Sequence, residues 1–467
     1  MYRKPDRNQL NLDEFILPFG GHLSPENRWI KIAGIMPWEM VEDYYAEGFK
    51  NKNPDGRKPF SARIAFGAVY IKEHENLTDE RTIENIAENP YMQYFLGLGA
   101  FRAEPLFDPS MMAYFRRRFP AEFIAKVNEE IYRRTYSPKP PEDGGNKGEL
   151  VLDATVAPAD IRYPTDISLL NECRENTEKM IDEIWGYTDR KGHKTEYSRR
   201  KARRGFLEII KKRRHKAGEI SAAVSEQLDY VKKNLERIEY LILKFKINLK
   251  KKHAERLFTI HEVARQQSEM LNKGTHIVEN RIVSLRQPHV RPIVRGKAGR
   301  PVEFGQKLGF AVVDGYTFIE TQSWNNFSEG TTLIESAGRY REKHGTYPEA
   351  ILADKAFRNR GNIEFCKKNG IRLSGSGLGK PKQEEEDNGQ ACRDNCRRNI
   401  VESRNGIVKR RYGLDLVMAR LECTSETEAA LNVLVMNIAH VLRALLRHFF
   451  KAGFGWLFQF SNAFCTA

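Results

Sequence analysis

A chain of 467 residues is long enough for two or three domains with their own cores, and 40% hydrophobic against 30% charged residues indicates a soluble, folded protein. The 77 Lys and Arg exceed the 62 Asp and Glu by 15, which makes a polyanion the first partner to expect. The opening MYRKPDRNQL carries no apolar stretch and argues against secretion, and six scattered cysteines suit reduced thiols in cytoplasm rather than a disulfide framework or a zinc site.

From 23 to 119 the pattern is short helices with clear start signals. Pro25, Pro37 and Pro109 each sit at a plausible first helical position, and Thr78 is followed by acids that suit a first turn. The segment 62–71 is an apolar helix able to centre a small bundle. Segments 91–98 and 114–119 suit a helix-turn-helix-like DNA reader with Arg116, Arg117 and Arg118 on phosphates; a packing domain with a basic helix end fits equally well. At 137–148 three prolines and three glycines mark a linker and a domain boundary. A short apolar run, ELVLDATV at 149–156, then holds one acid, Asp153.

From 166 to 286 the chain is charged, almost free of Gly and Pro, and helical in period, so a basic helical insertion is expected. Its runs include Arg199, Arg200, Lys201, Lys211 and Lys212, a density of charge that neutralises phosphates. Sheet signals resume after Gln287, and 302–323 is a hairpin around Asp314-Gly315, which assigns Asp314 to the turn. A helix at 328–344, a strand at 349–353 ending at Asp354, a helix at 362–369, a strand at 371–374 and a polar loop at 375–395 follow. The segment 427–450 is apolar but interrupted by polar residues, and reads as a core helix rather than a membrane span.

Between these last segments lies RRNIVESRNGIVKRRYGL, 397–414. On a helix, Ile400, Val401, Ile407 and Val408 share one face, and Arg398, Glu402, Asn405 and Lys409 the opposite one. One acid among bases suits a place where metal and phosphate meet, although an i, i+4 ion pair on a surface helix has the same pattern. Leaving out the insertion, the element order is that of an RNase H-like α/β core with a mixed sheet. In that order the first and fourth strands are neighbours, bringing Asp153 beside Asp354. Two divalent ions about 3.5–4 Å apart, shared by the aspartates and completed by Glu402, would relieve the repulsion. Mg²⁺, or Mn²⁺, fits such a site.

With LDAT at Asp153, ADKAFRN at Asp354 and a Tyr-Arg-Glu-Lys pattern around Glu402, the chain resembles bacterial insertion-sequence DDE transposases. Arg398, Glu402 and Lys409 match that signature; Asn395 stands at its Tyr position. The segments PFSARIAFG and DERTIENIAENPYMQYFLGL resemble the helical domain that precedes such cores. The resemblance implies catalytic and metal-binding Asp153, Asp354 and Glu402, with Arg398, Asn405 and Lys409 on DNA. It further implies element-end inverted repeats and target DNA as partners, a homodimer that synapses two ends, and a place in the bacterial nucleoid. The domains expected are a helical DNA-binding and dimerisation domain at 1–136, the core at 149–165 and 287–424, and a C-terminal helix and tail at 425–467. A nuclease of the same fold that never joins DNA, a DNA-binding protein without catalysis and, on charge alone, an RNA-binding protein are the alternatives.

Overall fold

The computed structural model describes residues 11–18, 20–49, 58–136, 145–187, 198–297, 300–375 and 388–463. Most of the expected linker, at 137–144, lies outside the described residues. Seven helices come first: α1 (Arg28–Ile35), α2 (Trp38–Glu47), α3 (Ala62–Glu75), α4 (Asp79–Glu88), α5 (Pro90–Phe95), α6 (Met111–Arg118) and α7 (Ala121–Thr135). Asn27, Ser61, Thr78 and Asn89 cap α1, α3, α4 and α5 by accepting from backbone N–H groups of the first turn. The start signals at Pro25 and Pro109 open turns that precede the helices instead; Asp108 accepts from Ser110 N at 2.9 Å in one of them.

The chain continues with β1 (Glu149–Pro158), α8 (Asp166–Gly186), α9 (Arg199–Ile210), α10 (Glu219–Phe245) and α11 (Lys251–Lys273). Then come β2 (Arg291–Lys297), β3 (Arg300–Val313), β4 (Tyr316–Ser323), α12 (Leu333–His344), β5 (Ala350–Ala353), α13 (Arg360–Lys368), β6 (Arg372–Leu373), α14 (Asn388–Tyr412) and α15 (Glu422–Ala463). The chain divides into two compact units, one of Met1–Pro158, Lys307–Ser323 and Phe327–Ala467, the other of Ala159–Gln306 and Trp324–Asn326.

In the first unit the strands lie in the order β4-β3-β1-β5-β6. The β3–β4 hairpin turns at Asp314 and Gly315, both at positive φ (50° and 82°), the geometry that matches the twist of paired strands. On its other side β1 pairs in parallel with β5, Leu152 opposite Ala353, and β5 in parallel with β6. Six residues of β1 and all of β5 are apolar and buried, as expected of parallel strands covered on both faces. Helix α3 is buried almost all round, with Phe66, Tyr70 and Ile71 packed among Trp38, Phe95 and Phe119. Each large side chain so buried contributes about 1.5–3 kcal/mol.

Within α15, the stretch Glu422–Leu445 is long and apolar enough to cross a membrane, but 67% of its most apolar 18 residues are buried in the protein, where the helix packs on α7, α3 and β4. This is a core helix, and its buried Asn437 explains one polar interruption. Asn437 Oδ1 accepts from Thr317 N (3.0 Å), while its Nδ2 donates to Thr317 O (2.7 Å) and Asn128 Oδ1 (2.8 Å).

The second unit is built on α8 and α10, whose apolar stripes, including Leu170, Cys173, Leu228 and Val231, meet those of α11. A smaller core gathers Ala159, Val283, Val290 and Trp324, and His289 stands edge-on to Trp324 with ring centroids 4.4 Å apart. Burial first, then Arg291, pushes the His289 imidazole down from 6.5 to about 4. The unfolded chain therefore binds the extra proton between those values, and stability is lost as pH falls through that window. Thermal unfolding across the window should show this acid loss in the wild type and a flatter profile in His289→Phe; equal profiles would remove His289 as the cause.

The strand β2 was not foreseen: Pro292 and Gly296 make RPIVRGK look like a loop. Its register with β3, Arg291 opposite Gly305 through Val294 opposite Val302, makes it a strand. Helix α14 starts at Asn388, so the polar loop expected at 375–395 is shorter than its sequence suggests. Asp394 in this added turn is buried and paired with Arg372 and Gln390.

Candidate active site

Because β1 and β5 run in parallel with Leu152 opposite Ala353, the next residue on each is an aspartate: Asp153 and Asp354 leave the same end of adjacent strands. Asp354 ends its strand by capping the following turn, accepting from Lys355 N at 2.5 Å, and its side chain is 55% exposed. Helix α14 lies over β1, from Arg397, paired with Glu149, to Asn405, whose Nδ2 donates to Asp153 Oδ2 at 2.7 Å. Eight helical residues rise about 12 Å and four strand residues about 13 Å, so helix and strand keep step.

That alignment brings in the third acid. Arg398 places Nη1 3.5 Å from Asp354 Oδ1 and Nη2 3.5 Å from Glu402 Oε1, so one guanidinium lies between the two carboxylates. The Glu402 side chain is 60% exposed. Burial raises the Asp153 carboxyl above the ordinary aspartate range; a hydrogen bond from Ala154 N and the charge of Arg398 oppose this, and the carboxylates of Glu329 and Asp354 add to it. Crowded carboxylates of this kind call for a cation. Among the described residues, however, no three His, Cys, Asp or Glu side chains are close enough to hold a metal ion. The donors are hard oxygens and fit a divalent cation chemically, while Arg398 fills the gap between two of them.

Two residues of this neighbourhood escape a sequence reading. Glu329, in the turn before α12, looks like an ordinary helix-start acid, yet it acts on Asp153 and pairs with Lys307 Nζ at 3.0 Å. Lys307, buried on β3, also donates to Phe327 O at 2.8 Å. A lysine in the middle of a strand was the only signal, and it reads as an outward-facing position.

The other predicted residues are placed as follows. Asn405, expected on DNA, is turned to Asp153, and Lys409 lies one helical turn beyond it, half-buried. Asn395 is exposed on α14. Arg116 is committed to Asp79 by two hydrogen bonds of 2.7 and 2.8 Å and is only 11% exposed, so it is not presented to a phosphate. Arg118 lies over the Phe49 ring at 4.4 Å, and Arg117 stays near Tyr114. In the second unit Arg199 pairs with Asp182 at 2.8 Å and Lys212 with Glu219, whereas Arg200, Lys201 and Lys211 are exposed.

Residues 351–439 match the family described as the transposase DDE domain, a stretch that contains Asp354 and Glu402 but not Asp153. Residues 18–118 match the family described as the transposase domain (DUF772). An uncharacterised protein, ORF8 in the nfe locus of Rhizobium meliloti, is 29% identical over 150 residues, which cover 32% of this chain and 69% of that protein. No solved structure matches the chain significantly.

Proposed function

We propose that this chain is an insertion-sequence transposase with a DDE domain, in which Asp153, Asp354 and Glu402 are the catalytic acids, cutting DNA at the element ends and joining the freed 3′-hydroxyls to a target. The observation that carries this reading is the pair Asp153 and Asp354 at matching ends of adjacent parallel strands, with Glu402 reached through Arg398. A hairpin on one side of β1 and two parallel strands on the other supports an RNase H-like core.

In this reading Asn405 fixes the Asp153 carboxylate by its hydrogen bond, leaving the other oxygen of that group for a cation. Arg398 holds Asp354 and Glu402 together, and would be available to a phosphate where those carboxylates hold a cation. Lys409 supplies a second positive charge on the same helix. Two Mg²⁺ or Mn²⁺ ions, of the class this family generally uses, would there activate water and neutralise charge on the phosphate. Water serves as nucleophile in cleavage and the 3′-hydroxyl in joining, so the chain itself supplies no covalent nucleophile. We assign DNA binding and dimerisation to 1–136, phosphate contacts to the exposed Arg200, Lys201 and Lys211 of the basic insertion, and cytoplasmic action on the nucleoid by a synaptic homodimer.

Pre-cut element ends incubated with Mg²⁺ and a target plasmid should give joined products. Hydrolysis of the plasmid with no joining would instead make the chain a nuclease.

A further inference from the structure

On the flank of α14 away from Asp354 a cleft of about 910 Å³ opens between α14, α15, the start of β1 and the β3–β4 turn. Its charged lining is Glu149, Asp314, Arg397, Arg404, His440 and Arg443. The two acids have partners already: Glu149 pairs with Arg397, and Asp314 accepts from Tyr132 Oη at 3.1 Å. Arg404 and Arg443 are the remainder. Among the described residues neither forms an ion pair with a carboxylate, although Arg404 is only 7% exposed.

A buried guanidinium without a counter-ion is costly, and nothing in the packing requires it. Arg404 makes one hydrogen bond, from Nη2 to His440 Nδ1 at 2.8 Å. Arginine can only donate, so Nδ1 is the unprotonated nitrogen and His440 carries its proton on Nε2. Gly315 leaves the space: a Cβ there would stand 2.9 Å from the His440 ring and 3.2 Å from Arg404 Nη2. Burial, then the charge of Arg443, pulls Arg404 below its ordinary value, the sign of two cations brought together without an anion.

We propose that this cleft is an anion site, with Arg404, Arg443 and His440 binding a phosphate group separately from the acids across the helix. The proposal rests on the transposase reading only for the source of that group, a backbone phosphate of DNA. The two flanks of α14 are about 10–12 Å apart, on the order of three nucleotide steps of a strand, so one strand can lie against both.

The test uses the full chain and Arg443→Ala, since Arg443 is half-buried and its loss leaves the core intact, with Arg443→Lys as the conservative control. Inorganic phosphate should raise the melting temperature of the wild type and of Arg443→Lys beyond the effect of chloride at equal ionic strength, and should not raise that of Arg443→Ala. For a short duplex of arbitrary sequence, the slope of log K against log salt should be shallower by about 0.9 in Arg443→Ala, the loss of one phosphate contact. A phosphate shift lost with the DNA slope unchanged would assign the cleft to free phosphate and overturn the DNA source. No phosphate shift in the wild type together with an unchanged slope would overturn the site. A wild type that binds no DNA yet keeps its phosphate shift would sink the transposase reading and leave the cleft standing.

Discussion

Glu402→Gln is expected to reduce cleavage of element-end DNA by about 10³-fold or more, since removing one carboxylate from a cation site forfeits several kcal/mol of charge stabilisation in the transition state. The fold should not change. Glu402 is 60% exposed and its ion pair with Arg398 at 3.5 Å is a surface contact of small worth. Asp153→Asn should lose activity by a similar factor, but for this residue stability moves the other way. Asp153 is half-buried and crowded by Glu329 and Asp354, so the folded state disfavours its ionised form above the ordinary aspartate value. An asparagine keeps an oxygen for the Asn405 hydrogen bond and removes the charge. Activity falling while the melting temperature holds or rises is the signature of a functional acid. Activity and stability falling together would make Asp153 a structural residue.

Asn437→Leu should destabilise the first unit by about 3–5 kcal/mol, because a leucine of similar size strands a buried Thr317 N–H and the Asn128 amide, at about 1–3 kcal/mol each, besides losing Asn437's own bonds. The three elements joined at this point are α7, α15 and β4. Chemical denaturation measures the effect, and a variant within 1 kcal/mol or so of wild type, the range of ordinary surface changes, would mean that water replaces the lost partners.

Much of this arrangement is legible in the sequence because it follows from short-range signals. Asp314-Gly315 announces its hairpin, and EAILA before Asp354 announces a buried strand that the structure pairs with β1. The pattern of α14 was legible only in part. Val401 and Val408 are buried as their spacing predicts, but Ile400 is 38% exposed, and the packed stripe continues through Arg404 and Tyr412. A charged residue is expected outside, so neither the true seam of the helix nor the cleft beside it can be read from periodicity. Asp394 is hidden for the same reason, its burial depending on Arg372 from a different element. Glu329 is brought to act on Asp153, and Lys307 to pair with Glu329, by tertiary contacts, and no local spacing encodes them.

The convergence of Asp153, Asp354 and Glu402 on a bound cation is the central claim, and it can be read without DNA. Fe²⁺ in place of Mg²⁺, with ascorbate and peroxide, cuts a polypeptide backbone next to the ion. The cuts should fall near residues 153, 354 and 402 in the wild type, be suppressed by excess Mg²⁺ and disappear in Asp354→Asn. Cuts that fall elsewhere, or that survive Asp354→Asn unchanged, would contradict the account.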